Sequence, residues 1–182
     1  MGWIDCDRTH AATQENEDQR LKSFKRVVQM TRHDTLVFRR TLPAPIPRVW
    51  RAFADPSERA IWGVPSDASV VIYDQVDFRV GGTDIARCGD RSDPRYRAVT
   101  RYLDIVPERR IVWSEVVDEQ GTAFGASLVT VDLEPEGPGT ALTVTIQVAS
   151  FVGDAMIEGT RQGYEASLGY LARYLAGEAA GS

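Results

Sequence analysis

Ile111, Trp113, Glu115 and Val117 alternate along one strand, so all four side chains fall on the same face, and Glu115 is the one carboxylate among them. A carboxylate among apolar neighbours holds its proton more tightly than one in water, unless a cation pairs with it. Two uses follow: a polar anchor for a ligand, or a carboxylic acid tuned for proton transfer. The plainer alternative is an ion pair at the rim of the sheet, with Arg101 across the strand as the partner. Other groups able to move a proton are Tyr73, Tyr102 and Tyr164. Cys88 joins them in principle, although it equally suits a small buried hydrophobe. Both histidines (His10, His33) and both lysines (Lys22, Lys25) precede Asp34. The rest of the chain therefore offers no histidine base, no histidine-ligated metal and no Schiff-base lysine. No cofactor and no metal is expected. Gly81-Gly82 joins two strands, so it is not a phosphate-cradling loop of the strand–helix kind.

These groups must be positioned by the elements around them, and the longest is the stretch from Gly153 to Leu175. At the helical period Ile157, Tyr164, Leu168, Leu171 and Leu175 form one apolar stripe, with Glu158, Gln162, Glu165 and Arg173 opposite. Beside the stripe runs a line of small residues, Gly159, Gly163 and Ser167. Glycine inside a helix costs up to about 1 kcal/mol relative to alanine. Either these residues let the helix pack closely on a sheet, or they leave room for a guest.

The 182 residues suffice for one domain with one core, at 43% hydrophobic and 26% charged. A net charge of −5 argues against a nucleic-acid partner. Two cysteines make no disulfide framework, which favours a cytoplasmic location, and no apolar run reaches the length of a membrane span, so no membrane insertion is expected. The loss of lysine and histidine after residue 34 marks a boundary. Residues 1–34 read as a polar N-terminal extension, poorly ordered or solvated, 35–176 as the domain, and 177–182 as a tail. Leu21, Phe24 and Val28 would line one face of a short helix within the extension.

Thr35 to Leu42 reads as a strand, ended by Pro43, Pro45 and Pro47. Ile46, Val49, Trp50 and Phe53 then follow helical spacing, and Asp55-Pro56-Ser57-Glu58 is the start of a second short helix carrying Ile61 and Trp62. Hairpins follow. A two-residue turn at Gly81-Gly82 would set Phe78 opposite Ile85 and Arg79 opposite Asp84. Gly89 to Pro94 reads as a loop that breaks the sheet. A three-residue turn at Pro107-Glu108-Arg109 would match Ile105 with Ile111, Leu103 with Trp113, and Arg101 with Glu115. A four-residue loop at Glu136-Gly137-Pro138-Gly139 would match Leu133 with Leu142, Val131 with Val144, and Val129 with Ile146. The order is one strand, two short helices, six antiparallel strands and one long helix. An α+β fold results, with the curved sheet wrapped around the helix.

The chain resembles the START-like (SRPBCC) superfamily with its helix-grip fold, in the branch similar to the C-terminal domain of the activator of Hsp90 ATPase. The likeness runs from about Thr35 to Leu175. It rests on Pro47-Arg48-Val49-Trp50-Arg51-Ala52-Phe53, Asp77-Phe78-Arg79-Val80-Gly81-Gly82, the run Asp104 to Trp113, the run Leu133 to Thr140, and Gly163-Tyr164 with the leucines after it. It departs at Tyr164, where tryptophan is usual, at Glu115, where an aromatic is common, and in the N-terminal extension. The resemblance implies an apolar cavity between helix and sheet and no shared catalytic residues. A small hydrophobic molecule is then the expected partner. The residues expected to face it are Phe53, Trp62, Phe78, Ile85, Arg101, Trp113, Glu115, Val129, Ile146, Phe151, Met156, Gly163, Tyr164 and Ser167. Phe124 suits cavity wall or plain core. Alternatives are a cyclase-like or hydrolase-like enzyme built on carboxylate and tyrosine chemistry, and a chaperone-linked interaction domain. A second copy of the chain is a further candidate partner.

Overall fold

The computed structural model describes residues 30–177. The readings made for residues 1–29, including the short helix, and for 178–182 lie outside these. Strand β1 (Arg32–Leu42) starts three residues before the predicted Thr35 and points Leu36, Phe38 and Leu42 inward. The prolines after it end the strand and open α1 (Ile46–Ala54), which buries Val49, Ala52 and Phe53. Asp55 stops α1 in an extended conformation and caps α2 (Pro56–Trp62), its carboxylate accepting from the Ser57 amide at 2.9 Å. Glu58 ties the two helices together by accepting from Arg48 at 2.6 Å and Arg51 at 2.9 Å.

Six more strands follow: β2 (Ser69–Gln75), β3 (Thr83–Asp90), β4 (Asp93–Val106), β5 (Arg110–Glu119), β6 (Thr122–Glu136) and β7 (Gly139–Ser150). All pair antiparallel in one sheet of order β1-β7-β6-β5-β4-β3-β2. Since β1 and β2 are opposite edges, α1 and α2 must cross from one edge to the other. The final helix, α3 (Asp154–Leu175), lies in the curve of the sheet and buries Leu168 and Leu171. Ile157, Tyr164 and Leu175 pack at the edge of the same core. This is the helix-grip architecture.

The β6–β7 register is the predicted one, with Leu133, Val131 and Val129 opposite Leu142, Val144 and Ile146. Three other expectations are corrected. First, Ile105 does oppose Ile111, but a bulge at Leu103 then shifts the ladder by one, so that Tyr102 opposes Trp113 and Thr100 opposes Glu115. Arg101 opposes Ser114 and stands exposed on the convex face. Second, Gly81-Gly82 is not a hairpin turn. Strand β2 ends at Gln75, which pairs with Ile85, and a longer loop carries Phe78 onto the Tyr102 ring at 4.9 Å. The Asp84 carboxylate holds this loop by accepting from the Asp77 amide at 2.7 Å. A side chain at Gly82 would meet the Asp77 carbonyl at 2.1 Å. Third, the sheet does not break after Gly89. Arg91 and Ser92 turn tightly, and Asp90 pairs with Asp93.

Candidate functional site

Helix α3 makes its close backbone approaches to β1, β7 and α2. Opposite β2 to β5 it stands off, and a cavity of about 880 Å³ opens between them. The small-residue line faces this space. A Cβ added at Gly159 or Gly163 would find no atom within 4 Å, so these glycines are not there for close packing. Strands β2 to β5 supply Val71, Tyr73, Ala86, Cys88, Ala98, Ile111, Trp113 and Val117 to the wall, with Val131 and Val144 beyond them. Phe53 and Trp62 close the end under the short helices, locked edge to face at 4.9 Å, with the indole N–H donating to the Ala52 carbonyl. Tyr96, Phe124 and Met156 lie at the end nearer the start of α3.

Across this apolar surface runs one polar row. The pairing puts Asp84 opposite Thr100, Thr100 opposite Glu115, and Glu115 opposite Ser127, all on the concave side. At the β3 end of the row Arg59, from α2, donates to Asp84 at 2.7 Å and to the Tyr102 hydroxyl at 2.6 Å, while that hydroxyl donates to Asp84 at 2.7 Å. The Arg59 guanidinium also lies 4.7 Å from the Tyr73 ring centroid and 5.8 Å from that of Phe78. Its Nε and Nη2 find no acceptor among the described residues. Burial works against the charge of Arg59, yet the neighbouring tyrosines and Asp84 offset it and keep the group firmly protonated. Burial pushes the Tyr102 hydroxyl, and the Tyr73 hydroxyl with it, above the ordinary phenol range.

Two strands from Asp84, Glu115 has no such partner. Its Oε2 accepts from the Thr100 hydroxyl at 3.3 Å, and it forms no ion pair with any described residue. Its side chain lines the cavity. Burial raises its carboxyl above the ordinary value, and the Thr100 hydrogen bond only partly opposes that. The groups around it are neutral. Burial and Glu115 together push the Cys88 thiol up to about 11, so it is an inert thiol. Tyr164, on α3, is pushed well above the usual phenol range by burial, with Glu115 and Tyr73 adding to it. Its ring stacks on Phe38 at 6.0 Å.

Of the residues named from the sequence, Phe53, Trp62, Phe78, Trp113, Glu115, Met156, Gly163, Tyr164 and Ser167 border the cavity. Val129 and Ile146 are fully buried in the core beyond it. Phe151 lies in the turn before α3 and does not reach it. Ile85 and Arg101 sit on the other face of the sheet, because the β2–β3 pairing and the β4 bulge set the parity of their strands. The residues missed were Arg59, Asp84 and Thr100. The signals were present: Arg59 is three residues before Trp62 on a short helix, and Asp84 alternates with Ala86 and Cys88.

Among the described residues no group of three or more His, Cys, Asp or Glu is placed to hold a metal ion. No described helix is long and apolar enough to cross a membrane. No curated protein matches the chain. Several solved structures do. A protein of Rhizobium leguminosarum is 35% identical, with a TM-score of 0.73, over 82% of this chain and 98% of that one. A protein of Chromobacterium violaceum is 31% identical, with a TM-score of 0.69, over 78% and 96%. One from Rhizobium loti is 37% identical, with a TM-score of 0.64, over 78% and 99%. Residues 43–176 match the family described as activator of Hsp90 ATPase homolog 1-like protein. With that match over most of its length and the helix-grip sheet around α3, the chain belongs to the activator of Hsp90 ATPase homolog 1-like family, within the START-like superfamily.

Proposed function

We propose that this protein is a binding module that takes up a small apolar molecule in the cavity between α3 and strands β2 to β5. The observation that carries the reading is the open space beside Gly159 and Gly163, facing a wall of aliphatic and aromatic side chains. Protein interiors are close-packed and leave few voids larger than a water molecule. The volume here is of the size that small-molecule sites have, about 300–1,000 Å³. Membership of a superfamily whose members typically bind ligands supports the same reading.

The test is Gly163→Leu, followed by uptake of the neutral dye Nile red and by thermal unfolding. Leucine replaces a poor helix former and enters empty space, so stability is expected to hold or rise by up to about 1 kcal/mol. Dye affinity is expected to fall at least about tenfold, the effect of a filled site. If the space is instead closed in solution by repacking, leucine will overpack it and cost about 1–3 kcal/mol. That loss, or dye binding unchanged by the substitution, would refute the reading. Native mass spectrometry of the purified protein then identifies what copurifies.

A further inference from the structure

We propose that the molecule received by this cavity carries a basic nitrogen seated on Glu115, so that the ligand class is an apolar amine. The inference rests on the reading of the cavity as an apolar-ligand site and gives that site its polarity. Among the described residues four charge-bearing side chains border the space: Arg59, Asp84, Asp90 and Glu115. Arg59 and Asp84 compensate each other at 2.7 Å. Asp90 is exposed in the β3–β4 turn and accepts from the Ser92 amide and hydroxyl. Glu115 alone is enclosed without a counter-ion among the described residues. Its Oε2 accepts from Thr100, no hydrogen bond from a described residue reaches its Oε1, and the side chain lines the cavity.

What surrounds Glu115 fits an ammonium better than an anion. Tyr164 of α3, Tyr73 of β2 and Cys88 of β3 face it, and all three are neutral, so among the described residues no cation pairs with the carboxylate. Trp113 shares its strand face two residues away, and the rings of Tyr73, Tyr96 and Tyr164 border the same space. Aromatic faces attract ammonium groups and repel carboxylates. The proton balance closes without a further reactant. Burial raises the Glu115 carboxyl above its ordinary value, so below that raised value the free protein holds a carboxylic acid here. An arriving neutral amine takes that proton onto its nitrogen and leaves an ammonium–carboxylate pair. An arriving ammonium sends the same proton to water. A neutral ligand that merely accepts a hydrogen bond from the carboxylic acid is the competing case.

A matched pair of probes separates the two in the full chain: N-benzyl-1-naphthylmethylamine and the ether in which oxygen replaces the nitrogen. At pH 7.5 the amine is expected to bind wild-type protein at least about tenfold more tightly than the ether, the effect of one close ion pair. Its affinity should rise with pH over the range in which the amine itself stays protonated, as Glu115 gives up its proton, while that of the ether stays level. In Glu115→Gln the ratio of amine to ether affinity should fall to about one. The pH series uses wild-type protein alone, so it decides the matter even if the variant folds poorly. Equal affinity for the two probes, or a preference that survives Glu115→Gln, would overturn the amine assignment and leave apolar binding standing. Failure of both probes to bind would overturn apolar binding and this inference together.

Discussion

Glu115 meets a hydroxyl where the strand spacing predicted a guanidinium, and its titration follows from that exchange. An ion-paired carboxylate is held below its ordinary value and adds stability above it. Glu115 is raised instead, so between the ordinary value of 4.5 and its own higher value the folded protein binds more protons than the unfolded chain. Stability therefore falls as pH rises through that window and is level below it. Glu115→Gln removes the titration. The unfolding free energy of the variant minus that of wild type is expected to grow from about pH 4.5 upward, at no more than about 1.4 kcal/mol per pH unit. Urea titrations at a series of pH values measure it. A difference that shrinks with pH would mean that a cation reaches the carboxylate after all.

Helix α2 is fastened to the sheet by a buried pair, and the elements at that end of the cavity depend on it. Arg59 and Asp84 are 12% and 2% exposed, and Tyr102 bonds both. Removing one partner leaves the other's charge buried without its counter-ion. Asp84→Leu is expected to destabilise by about 3–5 kcal/mol, and Arg59→Met by a similar amount. The double substitution should recover much of the loss, since an apolar pair of that volume suits the site. Tyr102→Phe removes two hydrogen bonds but no charge, and about 1–3 kcal/mol is expected. Denaturant midpoints for the four variants check the ordering. A double variant as unstable as Asp84→Leu alone would show that the pair is held for packing shape and not for charge. The β4 bulge serves this network: in a regular ladder running on from the Ile105–Ile111 pair, Leu103 would oppose Trp113, and Tyr102 would point outward with its hydroxyl away from Asp84.

At the scale of the whole molecule, the described core runs from Leu36 in β1 to Leu171 in α3. We therefore propose that residues 30–182 fold without 1–29. A chain beginning at Met30 is expected to unfold within about 0.5 kcal/mol of the full chain in urea, as surface changes usually do. A loss above about 2 kcal/mol would show that residues 1–29 pack on the domain. The order of elements, the β6–β7 register and the apolar stripe of α3 were all legible in the sequence. Each rests on local periodicity and turn chemistry, in which a one-residue error exposes a row of leucines and valines. The concave-face role of Glu115 was legible for the same reason. Its partner was not, because the bulge at Leu103 turns Arg101 to the convex face and brings Tyr102 onto Arg59 and Asp84, which lie far from it in the chain. Whether Gly159 and Gly163 mark contact or space was likewise undecided by helical spacing. Only the curvature of seven paired strands, which brings α3 onto β1 and β7 and holds it off β2 to β5, decided for space.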